Sequence, residues 1–212
     1  MEQESCLPDE FDVLRCHLAA IPDPRHARGK IHPLVGVLSL MVLALMAGAR
    51  SMSAISRYGT DHPEVLAPLG LRRSPSVPTL SRLLRLVSVQ EVRMALVAFT
   101  REVVARRQGA PGMAVVALDG KTLKGVWENG AQAHVLHVFA QQAAVALDQV
   151  TVASHLEEPA GAVAWLEEML AQFPGLEILT GDALLADRDL CAAIVAAQRD
   201  YVVRLKKTSR PS

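Results

Sequence analysis

The stretch 31–49 of this 212-residue chain holds no charged side chain, and that gap limits its fold more than any other feature. Within it, 34–49 (LVGVLSLMVLALMAGA) is apolar almost throughout, so as a helix it must be hidden on nearly every side, by lipid or by protein. A helix of that length rises roughly 24 Å, short of the ~30 Å hydrocarbon core of a bilayer. Gly36, Ser39 and Gly48 dilute its hydrophobicity, and Arg50 closes it at once. A single isolated span would also leave two water-soluble pieces with no evident need for it. A buried helix at the centre of a helical domain is the leading reading, and a membrane anchor is the competing one.

With 50% hydrophobic and 21% charged residues the chain is no disordered tail, and its length suits one compact domain with a smaller neighbour. Lys and Arg (22) cancel Asp and Glu (22), so net charge announces neither a nucleic-acid nor a membrane partner. The balance hides an internal asymmetry. Up to Arg107 there are 14 basic and 10 acidic residues, and beyond it 8 basic and 12 acidic. Cys6, Cys16 and Cys191 are odd in number and far apart, which rules out a disulfide scaffold or zinc ribbon as a leading idea. The acidic start, 1–10, lacks the basic and apolar regions of a secretory signal, and the expected setting is cytoplasmic and reducing.

The first part reads as helical. Pro33 suits a first helical turn, the apolar run follows, and 51–58 continues at helical spacing to Gly59, as two helices or one kinked helix. After a stretch punctuated by Pro63, Pro68, Gly70, Pro75 and Pro78, Thr79 can cap a helix through Leu80, Leu83, Leu84 and Leu86. Another is marked by Val92, Leu96, Val97, Phe99, Val103 and Val104. From Arg72 to Arg107 eight arginines accompany only two glutamates, a basic patch suited to phosphate or to a solvated helix face. Residues 108–112 (QGAPG) form the expected linker between a helical domain, 1–107, and a second domain, 113–212.

In that second domain strands and helices alternate. Strands are expected at 113–118, 134–141, 144–152, 176–180 and 201–205, with helices at 160–172 and 187–198. Short links between the first three strands imply an antiparallel meander, and helical links imply parallel additions, giving one mixed α/β sheet. Asp119 then ends the first strand and Asp182 the fourth, followed by Gly120 and Ala183. If those strands are neighbours, two carboxylates emerge at one sheet edge. Hard oxygen ligands of this kind suit Mg2+ or Mn2+ and phosphodiester chemistry, whereas an isolated strand-end aspartate is commonly a turn former.

Several stretches resemble insertion-sequence DDE transposases of the H-repeat-associated (ISAs-type) family. They are 21–34 (IPDPRHARGKIHPL) with the apolar helix after it, 51–59, Pro78-Thr79 with 82–86, 118–124 (LDGKTLK), 180–184 (TGDAL) with Arg188 to Cys191, and 200–206 (DYVVRLK). The resemblance implies a ribonuclease H-like catalytic domain preceded by an all-helical domain. It implies a divalent-metal site that includes Asp119 and Asp182 as catalytic acids, and double-stranded DNA at transposon ends as the partner. DNA contacts would come from Arg72, Arg73, Arg82 and Arg85 of the basic patch, with Lys121 and Lys124 beside the first acid. Homo-oligomerisation is compatible with it, and the setting would be a bacterial cytoplasm, with the DNA-bound protein on the nucleoid.

The chain also departs from the family pattern. After the last strand the family continues with Lys, a variable residue and Asn-Gln, and later supplies a glutamate as third acid, whereas this sequence reads KKTSRPS over 206–212 with no acid. The family's segment before the first long helix is blurred to Ser154-His-Leu-Glu-Glu158, where Glu157 could replace a glutamate or belong to a polar turn. The expectation is an incomplete ribonuclease H-like sheet and a truncated transposase, weakly active or inactive. The alternative is a non-catalytic DNA-binding or multimerising remnant. Other conspicuous residues look structural: His134 and His137 fall on opposite strand faces, and Trp127, Trp165 and Cys191 read as packing residues.

Overall fold

The computed structural model describes residues 9–26, 30–106, 115–128, 131–140, 145–152, 159–181 and 187–204. The chain divides into two compact units, Met1–Phe99 and Thr100–Ser212. In the first, helices α1 (Asp9–Ala19), α2 (Leu34–Met46), α3 (Met52–Asp61) and α4 (Val77–Leu86) are followed by α5 (Val89–Arg106), which continues into the second unit. A short 3-10 helix, Pro63–Val65, lies between α3 and α4.

The apolar run is α2, and it packs on both α1 and α3. Its buried residues, Leu34 and Gly36 to Leu40 with Ala44, exceed one helical face, as a hub helix requires. They meet Leu14 and Leu18 of α1, Ile55 of α3, Leu66, Leu69 and Leu71 of the following loop, and Leu80 and Leu83 of α4 in one apolar core. Only the end of α2 is bare, with Leu45 and Met46 exposed. Among the described residues no helix is long and apolar enough to cross a membrane, so the run is accounted for by protein contacts.

Two helices, and not one kinked helix, occupy 34–61. Gly48 takes a positive φ of 92°, which ends α2 at little steric cost, and Ser51 caps α3 by accepting from the Ala54 amide at 3.1 Å. The expected cap at Thr79 is corrected. Proline fits the first helical turn, so α4 starts at Val77 with Ser76 before it, and Thr79 already lies within the helix.

The second unit contains a five-stranded sheet of order β3-β2-β1-β4-β5. Its strands are β1 (Val115–Glu128), β2 (Ala131–Ala140), β3 (Val145–Val152), β4 (Ile178–Gly181) and β5 (Asp200–Val203), with α6 (Pro159–Gln172) and α7 (Arg188–Ala196) as the helical links. β1, β2 and β3 form the expected antiparallel meander, while β4 joins β1, and β5 joins β4, in parallel.

One face of this sheet carries the buried Val116, Leu118, Leu136, Val138, Ala140 and Leu179, in register across three strands, β1, β2 and β4. Trp165 of α6 donates through Nε1 to Asp148 Oδ2 of β3 at 2.8 Å, which fixes α6 to the sheet. Trp165, Leu166, Met169 and Leu170 supply the helix's buried stripe, and α7 packs on both α6 and β5. Alternate residues point the other way, where Asp119, Phe139, Gln149, Thr151 and Val202 are exposed.

The sequence reading ended β1 at residue 118, and that is also corrected. Asp119 is inside a longer strand, because Asp119, Gly120, Lys121 and Thr122 stay paired with His137, Leu136, Val135 and His134 of β2. A glycine weakens a strand, but antiparallel pairing unbroken from Val116 to Thr122 holds it. The expected linker 108–112 and turn 141–142 lie outside the described residues.

Candidate functional site

Two places gather the residues that the sequence singled out, and they belong to different units. In the sheet unit, β1 and β4 are parallel neighbours, and their last paired residues are Leu118 and Gly181. Asp119 and Asp182 each follow directly in the chain. Asp119 is exposed, on the sheet face that α6 does not cover, in a cross-strand row with His137 and Gln149. Asp182 and Glu157 lie outside the described residues, as do the side chains of Lys121 and Lys124, whose backbones extend β1 beyond Asp119. Among the described residues no group of three or more His, Cys, Asp or Glu could hold a metal ion. Asp119 is a hard oxygen donor at an accessible position, followed by a residue without a side chain, which fits Mg2+ or Mn2+.

In the helical unit, Arg82 and Arg85 are exposed on α4, whose Leu80 and Leu83 face the core. That division follows from helical period, since 80 and 83 share one stripe. The Arg82 Nε donates to the Pro78 carbonyl at 3.3 Å. Arg72 and Arg73 are exposed in the loop before α4. The loop is tied to α3 by two hydroxyl bonds: Ser56 Oγ donates to the Pro75 carbonyl at 2.8 Å and Ser74 Oγ to the Ser56 carbonyl at 2.7 Å.

A second basic segment precedes α2. Arg25 grips Asp23 with two hydrogen bonds, Nε to Oδ1 and Nη2 to Oδ2, both 2.8 Å, and the same Nη2 donates to the His32 carbonyl at 2.8 Å. Lys30 Nζ stands 3.6 Å from Asp23 Oδ2. The Arg25 guanidinium holds the Asp23 carboxyl well below the usual carboxylate range. His32 is only 5% exposed, and burial, with the charges of Arg73 and Arg25, pushes its imidazole below the ordinary histidine value.

Sequence alone gives no evident partner for His32. Its connection to Arg73, 41 positions away, depends on tertiary packing that no local pattern reveals. Trp165 was correctly expected to pack, but its buried carboxylate partner Asp148 was missed. A buried Trp normally finds an acceptor for its N–H, and an aspartate among strand apolar residues was the available signal.

Comparison with known proteins finds a family match over part of the chain and relatives along nearly all of it. Residues 15–100 match the family described as DDE_Tnp_1-associated. The chain is 26% identical over 202 residues to "Putative protein YbfL" of Escherichia coli K12, covering 93% of this chain and 52% of that protein. It is 24% identical over 206 residues to "H repeat-associated putative transposase YhhI" of the same strain, covering 94% and 52%. The chain thus spans about half the length of these relatives. Among solved structures, a simian T-cell lymphotropic virus intasome in complex with PP2A regulatory subunit B56 gamma aligns at 11% identity and a TM-score of 0.37, over 46% of this chain and 34% of that one. That score is too low to carry an argument.

Proposed function

We propose, for a chain related to the H-repeat-associated transposases, a function in DNA transposition. The helical unit binds duplex DNA through arginines of the α4 region. The sheet unit, read as the first part of a ribonuclease H-like domain, carries Asp119 and Asp182 as two acids of a divalent-metal site. The observation that supports this most is the parallel register of β1 with β4, in which Leu118 and Gly181 are partners and an aspartate follows each.

A Mg2+ or Mn2+ ion held by Asp119 and Asp182 would supply water activation and stabilisation of a leaving oxygen in phosphodiester chemistry. The chain's own residues contribute binding and orientation. The exposed side of the sheet gives a DNA strand access to Asp119, while the α6-covered side keeps β1 in place through Leu118 and Val116. Arg82 and Arg85 offer duplex phosphates charge-assisted donors without leaving the core packing of α4.

Mn2+ line-broadening of backbone amides tests the metal reading. Broadening centred on Asp119 and Gly120, lost in both Asp119→Asn and Asp182→Asn, is the expected result. Broadening elsewhere, or unchanged in both variants, would remove the acid pair from the proposal.

A further inference from the structure

The N-terminus of α2 brings together residues that neither the α4 arginines nor the acid pair accounts for. Gly36 is the reason. A Cβ at that position would lie 2.3 Å from the Leu69 carbonyl oxygen and 3.1 Å from a Leu71 methyl, so the first turn of α2 sits directly against the segment 69–71. A Cβ on Gly70, at a positive φ of 71°, would come within 3.9 Å of Pro33. The chain leaves that contact as Arg72-Arg73, beside His32-Pro33 at the start of α2. On the other side, Arg25 is bonded to the His32 carbonyl, and Lys30 lies close by through Asp23.

The electrostatics of this junction are one-sided. α2 has 13 residues, Pro33 at its N-cap makes no side-chain capping bond, and its first turn contains no acid. The amides of such a helix start present partial positive charge. His32, 5% exposed, has a buried Nδ1 without a hydrogen-bond partner among the described residues. Burial and the cationic Arg73 and Arg25 all disfavour its protonation. Asp23 is the one acid of the neighbourhood, and Arg25 already engages both of its oxygens.

We infer that the exposed Arg73 and Lys30 at the amino end of α2, with the buried His32 behind them, form a phosphate-binding site that takes a backbone phosphate of DNA, separate from the α4 arginines, with Arg25 as the positioning residue that holds the loop. The inference rests on the DNA-binding reading above and specifies a contact within it. An anionic phosphate placed here supplies negative charge that the junction lacks. Its arrival opposes the field of Arg25 and Arg73 at His32, so binding of phosphate and uptake of a proton by His32 favour each other. Affinity therefore rises as pH falls through the histidine range.

The test uses the full chain, following the His32 ring protons by NMR against pH, alone, with inorganic phosphate and with a short duplex. The expected result is a His32 titration moved to higher pH by the duplex. Arg73→Gln should abolish that movement, weaken duplex binding by roughly tenfold and lower the salt slope by about one. Movement with the duplex and not with inorganic phosphate identifies DNA as the source of the phosphate; movement with both identifies a general phosphate site that DNA also uses. Duplex binding that depends on Arg82 and Arg85 but leaves His32 unmoved overturns this site and leaves the DNA-binding reading intact. Phosphate binding without any duplex binding overturns that reading instead. Because Arg73 is exposed, its replacement spares the core, and His32→Gln provides a second variant that keeps a hydrogen-bonding side chain.

Discussion

The two units place their candidate functional groups by different means. In the helical unit the charges come from segments up to about fifty residues apart, and they are assembled by packing around one apolar helix, α2. In the sheet unit Asp119 is placed by strand register, one residue beyond the pair Leu118 and Gly181, and Asp182 follows that pair in the chain. Packing-based placement depends on every side chain that fixes the approach of two segments. Register-based placement is robust to side-chain change but lost altogether if a strand slips, because a shift of one residue moves each side chain to the other face.

The comparison is broken most severely in the sheet unit by Trp165→Ala. The variant removes a buried aromatic and leaves the buried Asp148 without that donor, at an expected cost of about 3–5 kcal/mol in thermal or urea unfolding. Trp165→Phe, which deletes the N–H and keeps most of the volume, should cost about 1–3 kcal/mol, and equal losses in the two variants would show that the hydrogen bond and not the packing fixes α6.

In the helical unit Gly36→Ala should cost about 1–3 kcal/mol, since the new Cβ meets a backbone carbonyl that cannot rotate away. The same substitution should separate 72–73 from His32, so the histidine titration should return toward its ordinary value as Arg73 withdraws. An unchanged His32 titration in a destabilised Gly36→Ala protein would mean that Gly36 serves stability only.

The smallest effect expected is on pH dependence. Asp23 is held ionised by Arg25, so its folded pKa is below its unfolded value. Its contribution is present in full above about pH 5 and lost as acid protonates it. His32, also depressed, behaves likewise one range higher: neutral imidazole is favoured by folding, and the contribution falls as pH drops below about 6.5. Asp23→Asn should flatten the first of these slopes in acid unfolding and leave the second in place.

Much of the fold is legible in the sequence because hydrophobic period survives in each element. The uncharged run predicts a buried helix, and α2 is one; Leu80 and Leu83 predict the inner face of α4; the alternation through Leu136 and Val138 marks β2. Ends are harder. Gly120 looks like a strand terminator, yet pairing with Leu136 carries β1 through it to Glu128, a tertiary effect absent from any local window. Helix α5 likewise starts at Val89 and reaches Arg106, beyond the apolar marks that reveal it. Asp119 and Asp182 stand out in the sequence because each follows an apolar strand pattern, and the parallel pairing of β1 with β4 that precedes them is as expected. The approach of segment 69–71 to the start of α2 was not legible, because it depends on a glycine whose missing side chain admits the Leu69 carbonyl.

The central claim, that the helical unit is the DNA-binding part of this chain, is tested most directly by duplex affinity measured against salt concentration with fluorescence anisotropy. The account predicts that log Kd rises linearly with log salt, that Arg82→Ala combined with Arg85→Ala lowers the slope by about two, and that Asp119→Asn leaves it unchanged. Absence of duplex binding at low salt, or an affinity indifferent to both arginines, would contradict it.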